Sequence, residues 1–188
     1  MVNSRNTRIC PVENAGGLDN PLRKYLQNPK KILRPYIKEG MTVLDMGCGP
    51  GFFTLEIAKM LNNSGKVIAV DLQQGMLDKI RQKITGTGLE SMIELHHCEE
   101  TRLGVIEKVD FILAFWMIHE VPDKERLFEE FKSILKPNSQ ILIVEPKFHV
   151  SKARLEEISN KLIKTSFEIL EEPKVFFSRS MLLSLKKA

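Results

Sequence analysis

Residues 43–52 read Val-Leu-Asp-Met-Gly-Cys-Gly-Pro-Gly-Phe: an apolar run that breaks into three glycines at alternate positions and then enters a helical pattern. Glycines at such a junction let the backbone turn tightly and let a ligand lie against it with no Cβ in the way. The helix that follows offers N–H groups with no partner inside the helix. A chain with this junction needs a strand to deliver the loop and a helix to leave it, which points to an α/β architecture with a ligand-binding loop. The alternative is a plain strand-to-helix turn. The spacing G-x-G-x-G is not the G-x-G-x-x-G of a dinucleotide loop, and no Gly-Lys-Ser/Thr is present to make a phosphate loop.

The pattern around the junction repeats. Short apolar runs at 41–46, 66–71, 92–97, 109–115 and 140–144 read as buried strands. Between them, apolar residues at helical spacing predict helices over 52–61, from Met76 to Ile84, over 122–135, and around Leu155, Ile158 and Leu162. Alternating strands and helices imply parallel pairing and right-handed crossovers. Continuous apolar strands imply a sheet covered on both faces. Two last strands, 167–170 and 181–185, lack a full helix between them and predict a closing antiparallel hairpin. The expected fold is a doubly wound, Rossmann-like α/β domain with ligands at the carboxyl ends of its strands.

Ahead of this domain, residues 1–40 read as an arm followed by two short helices. One begins at Pro21, capped by Asn20, and one follows Pro29 and runs to Gly40. This segment carries eight basic and three acidic residues, whereas the whole chain has a net charge of +4. The excess is too diffuse for a nucleic-acid groove and reads as a solvated basic arm. At 188 residues the chain is of single-domain size. No apolar run approaches the roughly 20 residues of a membrane span, and the start MVNSRNTRIC lacks the apolar core of a signal peptide. Three scattered cysteines, Cys10, Cys48 and Cys98, make no disulfide framework and fit a reducing cytoplasm.

Asp71 ends the second strand, 20 positions beyond Gly51. An acid there can accept from both hydroxyls of a ribose; the alternative is a helix cap for the residues from Gln73 onward.

The segments DMGCGPG and VIAVD resemble those of the class I S-adenosylmethionine-dependent methyltransferases, and the resemblance extends from Met41 to the end. FILAFWMIHEVPDKERLFEEFKSILKPNSQILIVEP is similar to the fourth-strand, helix and fifth-strand block of the small-molecule branch, which includes quinone and arsenite methyltransferases. The resemblance implies a seven-stranded sheet with an antiparallel last strand, S-adenosylmethionine as cofactor and S-adenosylhomocysteine as product. It implies that Gly47, Cys48, Gly49 and Gly51 line the methionine and ribose part of the cofactor and that Asp45 reaches its amino group. Asp71 would hold the ribose diol, Leu72 and Met76 the adenine, Glu99 the adenine amino group, and Glu100 would offer its backbone amide.

Phe115, Trp116, His119 and Glu120 lie where the fourth strand ends and an acceptor enters. Phe115 is assigned to the cofactor wall and Trp116 to the acceptor wall, with a core anchor as the alternative for this only tryptophan. His119 is the candidate base, with Glu120 as its orienting partner; an ordinary hydrogen-bonded loop histidine is the competing reading. Tyr25, with Arg23 and Lys24, is assigned to a lid over the acceptor. His96 and His97 are adjacent on a strand and face opposite sides, so no metal site is expected. His149 reads as a surface residue.

The implied reaction is an in-line attack on a sulfonium methyl, served mostly by alignment in a dry pocket. A base is needed only where the acceptor must lose a proton. The aromatic wall suggests a small planar or apolar acceptor. A nucleic-acid methyltransferase is disfavoured because Ala114-Phe115-Trp116-Met117 has neither the Pro-Pro-aromatic nor the Pro-Cys signature. A non-catalytic adenosyl-cofactor-binding protein would carry the same binding residues. Arsenite as acceptor would need thiolates to converge. A minimal chain of this kind also leaves room for a second copy or a partner to complete the pocket.

Overall fold

The computed structural model describes residue 12 and residues 21–186. Cys10 and Asn20 therefore lie outside the described residues, as does most of the basic arm.

Seven strands form one sheet: β1 (Thr42–Met46), β2 (Lys66–Asp71), β3 (Ile93–His97), β4 (Val109–Phe115), β5 (Leu135–Pro146), β6 (Phe167–Glu171) and β7 (Ser178–Leu185). Their order is β3-β2-β1-β4-β5-β7-β6. The first five pair in parallel, and β7 runs antiparallel to both β5 and β6. The turn between β6 and β7 is too short for a crossover, so those strands must pair antiparallel. The expected closing hairpin is present, and β7 enters between β5 and β6 rather than at the edge.

The helices are α1 (Pro21–Leu26), α2 (Pro29–Leu33), α3 (Thr54–Met60), α4 (Gln74–Ile84), α5 (Lys124–Ile134) and α6 (Lys152–Lys164). Their apolar stripes cover both faces of the sheet. β4 shows the division: Phe111, Leu113 and Phe115 join the core under α3 and α4, with Ile57, Leu77 and Ile80. Ile112 and Ala114 join the opposite core under α5 and α6, with Phe128, Phe131, Ile158 and Leu162. This is the two-residue alternation of a strand buried on both faces.

Several boundaries differ from expectation. The second helix stops at Leu33, and the chain reaches Gly40 through turns. Its cap is Asn28, whose side chain accepts from the Lys31 amide at 3.0 Å. The long helix before β5 begins after Asp123, which caps the Arg126 amide at 3.0 Å, rather than at Pro122. β5 starts directly at Leu135, and its pairing with β4 shifts register between Val109 and Phe111 to absorb Pro137 and Asn138. Asn138 takes a left-handed φ of 63°, a conformation that Asn tolerates.

The sheet order reverses direction at β1, which lies between β2 and β4. That is the switch point where a doubly wound sheet opens a crevice at its carboxyl edge.

Candidate active site

The glycine loop leaves β1 at this crevice. The Gly47 and Cys48 amides both donate to the Val70 carbonyl, at 2.8 and 3.0 Å, which pins the loop to β2. Gly47 has a φ of +69°, and a Cβ there would lie 2.8 Å from the Met117 Cβ. Glycine is therefore required by both the backbone and its neighbour. Gly51 behaves differently from expectation. It does not line the cavity; a Cβ on it would meet Ile80 Cγ1 at 3.0 Å, so its smallness lets α4 approach the loop.

A cavity of about 330 Å³ opens above the loop. Asp45, Gly47, Cys48, Gly49, Asp71, Leu72, Met76, Glu99, Glu100 and Phe115, the residues assigned to the cofactor, line this one cavity. Asp45 is buried, and its Oδ2 accepts from the Thr54 hydroxyl at 2.6 Å. Thr54 was not anticipated; its signal was a hydroxyl at the start of the helix that follows the glycines. Burial pushes the Asp45 carboxyl up to about 7, against the opposing hydrogen bond from Thr54.

Asp71 is tied on both oxygens. Its Oδ2 accepts from the Gly49 amide and its Oδ1 from the Gln73 amide, each at 2.9 Å. It thus braces the turn before α4 without capping the helix, whose N-cap is Gln73 with no side-chain cap bond, while also locking the glycine loop and facing the cavity. Burial raises its carboxyl above the ordinary range, and the two backbone donors oppose that.

His96 and His97 point apart, as expected: their Nε2 atoms pair with the Leu103 and Leu72 carbonyls respectively, at 2.8 Å each. No cluster of three metal-binding side chains occurs among the described residues. Cys48 and Cys98 are free, buried thiols on the cavity wall, and burial pushes both upward, away from the reactive thiolate form.

The other end of the cavity is built from the carboxyl ends of β4 and β5. Trp116 takes a left-handed φ of 60° and donates its indole N–H to Ser178 Oγ at 3.0 Å. This turns its ring onto the cavity wall, 5.5 Å from the rings of both Phe115 and Phe148. The Arg23 guanidinium, from α1, lies 4.4 Å from the Phe52 ring centre and 4.9 Å from that of Trp116, both within cation–π range. Tyr25, by contrast, is 84% exposed and does not line the cavity. On α1, Arg23 rather than Tyr25 faces inward.

His119 is brought to the cavity in a short 3-10 turn, Ile118–Glu120. Its orienting partner is not the neighbouring Glu120, whose Oε1 lies 3.9 Å from Nε2. It is Glu145 at the end of β5, whose Oε2 lies 2.5 Å from Nδ1. A carboxylate only accepts, so Nδ1 carries the hydrogen of this contact, and Nε2 is the nitrogen left toward Glu120. Glu145 is fully buried, and its Oε1 has no hydrogen-bond partner. Its place at a strand's carboxyl end, just before Pro146, was the signal in the sequence. Glu120 also lines the cavity, and burial pushes its carboxyl up to about 7, opposed by His119. His149 is exposed but lines the mouth, with its ring stacked on His119 at 5.5 Å.

Residues 37–176 match the family described as a methyltransferase domain. The chain belongs to that family. It is 33% identical over 143 residues to a demethylmenaquinone methyltransferase of Lactobacillus johnsonii, covering 74% of this chain and 58% of that protein. It is 29% identical over 140 residues to the ubiquinone/menaquinone biosynthesis C-methyltransferase UbiE of Klebsiella pneumoniae, covering 74% of this chain and 53% of that one. The chain thus spans little more than half the length of these relatives. Among solved structures, a SAM-dependent methyltransferase from Aquifex aeolicus superposes with a TM-score of 0.82 at 28% identity, covering 93% of this chain and 98% of that one. The cofactor of this methyltransferase fold is S-adenosylmethionine, and the donor set fits it: buried carboxylates stand against a glycine loop, beside an apolar wall of Leu72, Met76 and Phe115.

Proposed function

We propose that this protein transfers a methyl group from S-adenosylmethionine to a small planar acceptor that carries a protic nucleophile. One contact supports this reading: the His119–Glu145 pair, on the wall of the cavity that the glycine loop also lines. When bound, S-adenosylmethionine supplies an electrophilic methyl on a sulfonium with a neutral leaving group. Asp45 would hold its amino group, Asp71 its ribose diol, Leu72 and Met76 its adenine, and Glu99 the adenine amino group, with the Glu100 amide beside the ring.

The chain's own residues supply the rest. Phe115, Trp116 and Phe148 present flat apolar surface to the acceptor and exclude water. His119 Nε2 takes the acceptor's proton, and the buried Glu145 carboxylate stabilises the imidazolium that results. Glu120, at the cavity wall beside Nε2, is placed to pass that proton outward. α1 closes one side through Arg23, so residues 21–40 act as a lid that selects the acceptor. The quinone-related names of the two sequence relatives support a quinol-type acceptor.

The test incubates the full chain with methyl-labelled S-adenosylmethionine and a series of quinols and phenols. Label transfer that His119→Asn abolishes, with S-adenosylhomocysteine affinity retained, is the expected result. Cofactor binding without transfer to any acceptor of the series would overturn the proposal.

A further inference from the structure

Three segments of the chain meet around the cavity mouth: α1 with the start of α2, the stretch after β5, and the turn into β7. Gln27 Nε2 donates to the Phe176 carbonyl at 3.1 Å, joining the first to the third. The Lys147 amide donates to the Phe177 carbonyl at 3.0 Å, and Arg179 Nε to the Val150 carbonyl at 3.2 Å, joining the second to the third. The first two line the cavity, through Arg23, Phe148 and His149, and the third is bonded to both of them.

Two properties coincide on this rim. Leu22, Tyr25, Leu26, Phe148, Phe176 and Phe177 are all large, apolar or aromatic, and exposed. Phe177 is 61% exposed and Phe148 64%, although a chain of this kind has room to bury such rings. Residues 21–31, 147–152 and 173–179 also carry eight Lys and Arg and no Asp or Glu. The whole chain has a net charge of only +4, so the rest of it is net acidic. Lys24, Lys30, Lys31, Lys147, Lys152 and Lys174 form no ion pair among the described residues, whereas Lys66, Lys136 and Lys161 elsewhere do. Among the described residues, the acids nearest these segments are Glu156 and Glu172, which share a groove with Lys147, Lys152 and Lys174, Glu171, which accepts from Tyr36, and Glu99, Glu100 and Glu120 on the cavity wall.

We propose that this rim is a docking face for an anionic lipid bilayer, and that it seats the cavity mouth on the membrane surface. Exposed aromatic and leucine side chains enter the headgroup and acyl boundary, while lysines beside them meet anionic headgroups. A nucleic acid would account for the charge but not for Leu22, Leu26 and the adjacent phenylalanines. No helix among the described residues is long and apolar enough to cross a membrane, so attachment is peripheral. An acceptor with an apolar tail could then reach the cavity without leaving the bilayer. The docking face stands on the surface itself, whatever the acceptor proves to be.

The test is co-sedimentation of the full chain with vesicles of pure phosphatidylcholine and of phosphatidylcholine with phosphatidylglycerol. Binding to the mixed vesicles at least roughly tenfold tighter than to neutral ones is expected, weakening with salt. Phe176→Ser with Phe177→Ser, and separately Lys147→Glu with Lys174→Glu, should each weaken it by roughly tenfold. Unchanged thermal midpoints would show that the variants fold. Ile106→Ser, at an 89% exposed site away from the rim, should bind as the parent does. Absence of sedimentation, equal binding to both vesicle types, or full binding by the double-serine variant would overturn the proposal. The last result would mean that charge alone is at work, as for a nucleic acid or an acidic protein.

Discussion

Glu145 Oε2 lies 2.5 Å from His119 Nδ1, and this contact joins the end of β5 to the turn that follows β4. It couples a fully buried carboxylate to an imidazole at the cavity wall. Replacing Glu145 with Gln keeps the shape and an acceptor oxygen but removes the charge that stabilises a protonated ring. Turnover should fall by roughly 10²-fold or more, in the range of a disabled general base. The acceptor KM and the S-adenosylhomocysteine affinity should change little. Folding stability should hold or rise, since a buried charge is removed. Steady-state kinetics and urea unfolding check both halves; an unchanged kcat would remove His119 from the chemistry.

Asp45 predicts a pH dependence. Burial pushes its carboxyl up to about 7 from an ordinary value of 3.8. The folded chain therefore holds this proton more tightly than the unfolded chain does. Folding gains stability while the group is protonated, and loses that gain as pH rises from about 4 to about 7. The thermal midpoint of the ligand-free protein should fall between pH 5 and pH 8, and Asp45→Asn should flatten the fall. Glu120, raised to about 7 by its own burial, contributes a second part that Glu120→Gln should remove. A bound ammonium group favours ionised Asp45, so cofactor affinity should rise over pH 6 to 8 in the parent and stay flat in Asp45→Asn. Superimposable curves for parent and variant would refute the assignment.

Asp71 holds the loop as well as facing the ligand. Asp71→Ala leaves the Gly49 and Gln73 amides without their acceptor. Unsatisfied amides of this kind cost about 1–3 kcal/mol. Urea unfolding without ligand should show that loss, whereas a residue serving only the ribose would leave ligand-free stability untouched.

Gly47→Ala should destabilise the chain by about 1–3 kcal/mol through its left-handed backbone and its collision with Met117. Adding Met117→Ala should not restore stability, because the nearest contact, at 2.8 Å, is to the Met117 Cβ, which alanine keeps. Chemical denaturation of the single and double variants checks this.

The cofactor side was the legible part of the site. Asp45, Gly47, Gly49 and Asp71 sit in one contiguous strand–loop–helix–strand unit, so local spacing alone brings them together. Gly51 shows the limit even there. Its spacing matches a ligand loop, but its neighbour Ile80 comes from another helix, and only packing turns a lining glycine into a spacer. The acceptor side was less legible because its parts come from distant segments. Adjacency in sequence points to Glu120 as the partner of His119, yet Glu145, 26 positions away, reaches Nδ1. Likewise Tyr25 and Arg23 share one short helix, and the six-residue sequence alone does not say which of them turns inward.

The sequence by itself determined the alternation of strands and helices, the glycine junction and the closing hairpin. Each follows from a pattern of apolar or conformationally special residues within a few positions of one another. Only the tertiary structure decided that β7 inserts between β5 and β6, and that Glu145 stands behind His119. It also decided that Phe148, Phe176 and Phe177 gather on a lysine-bearing rim. Those relationships join residues far apart along the chain, and their geometry is set by which elements the two cores pack together, not by any local preference of the backbone.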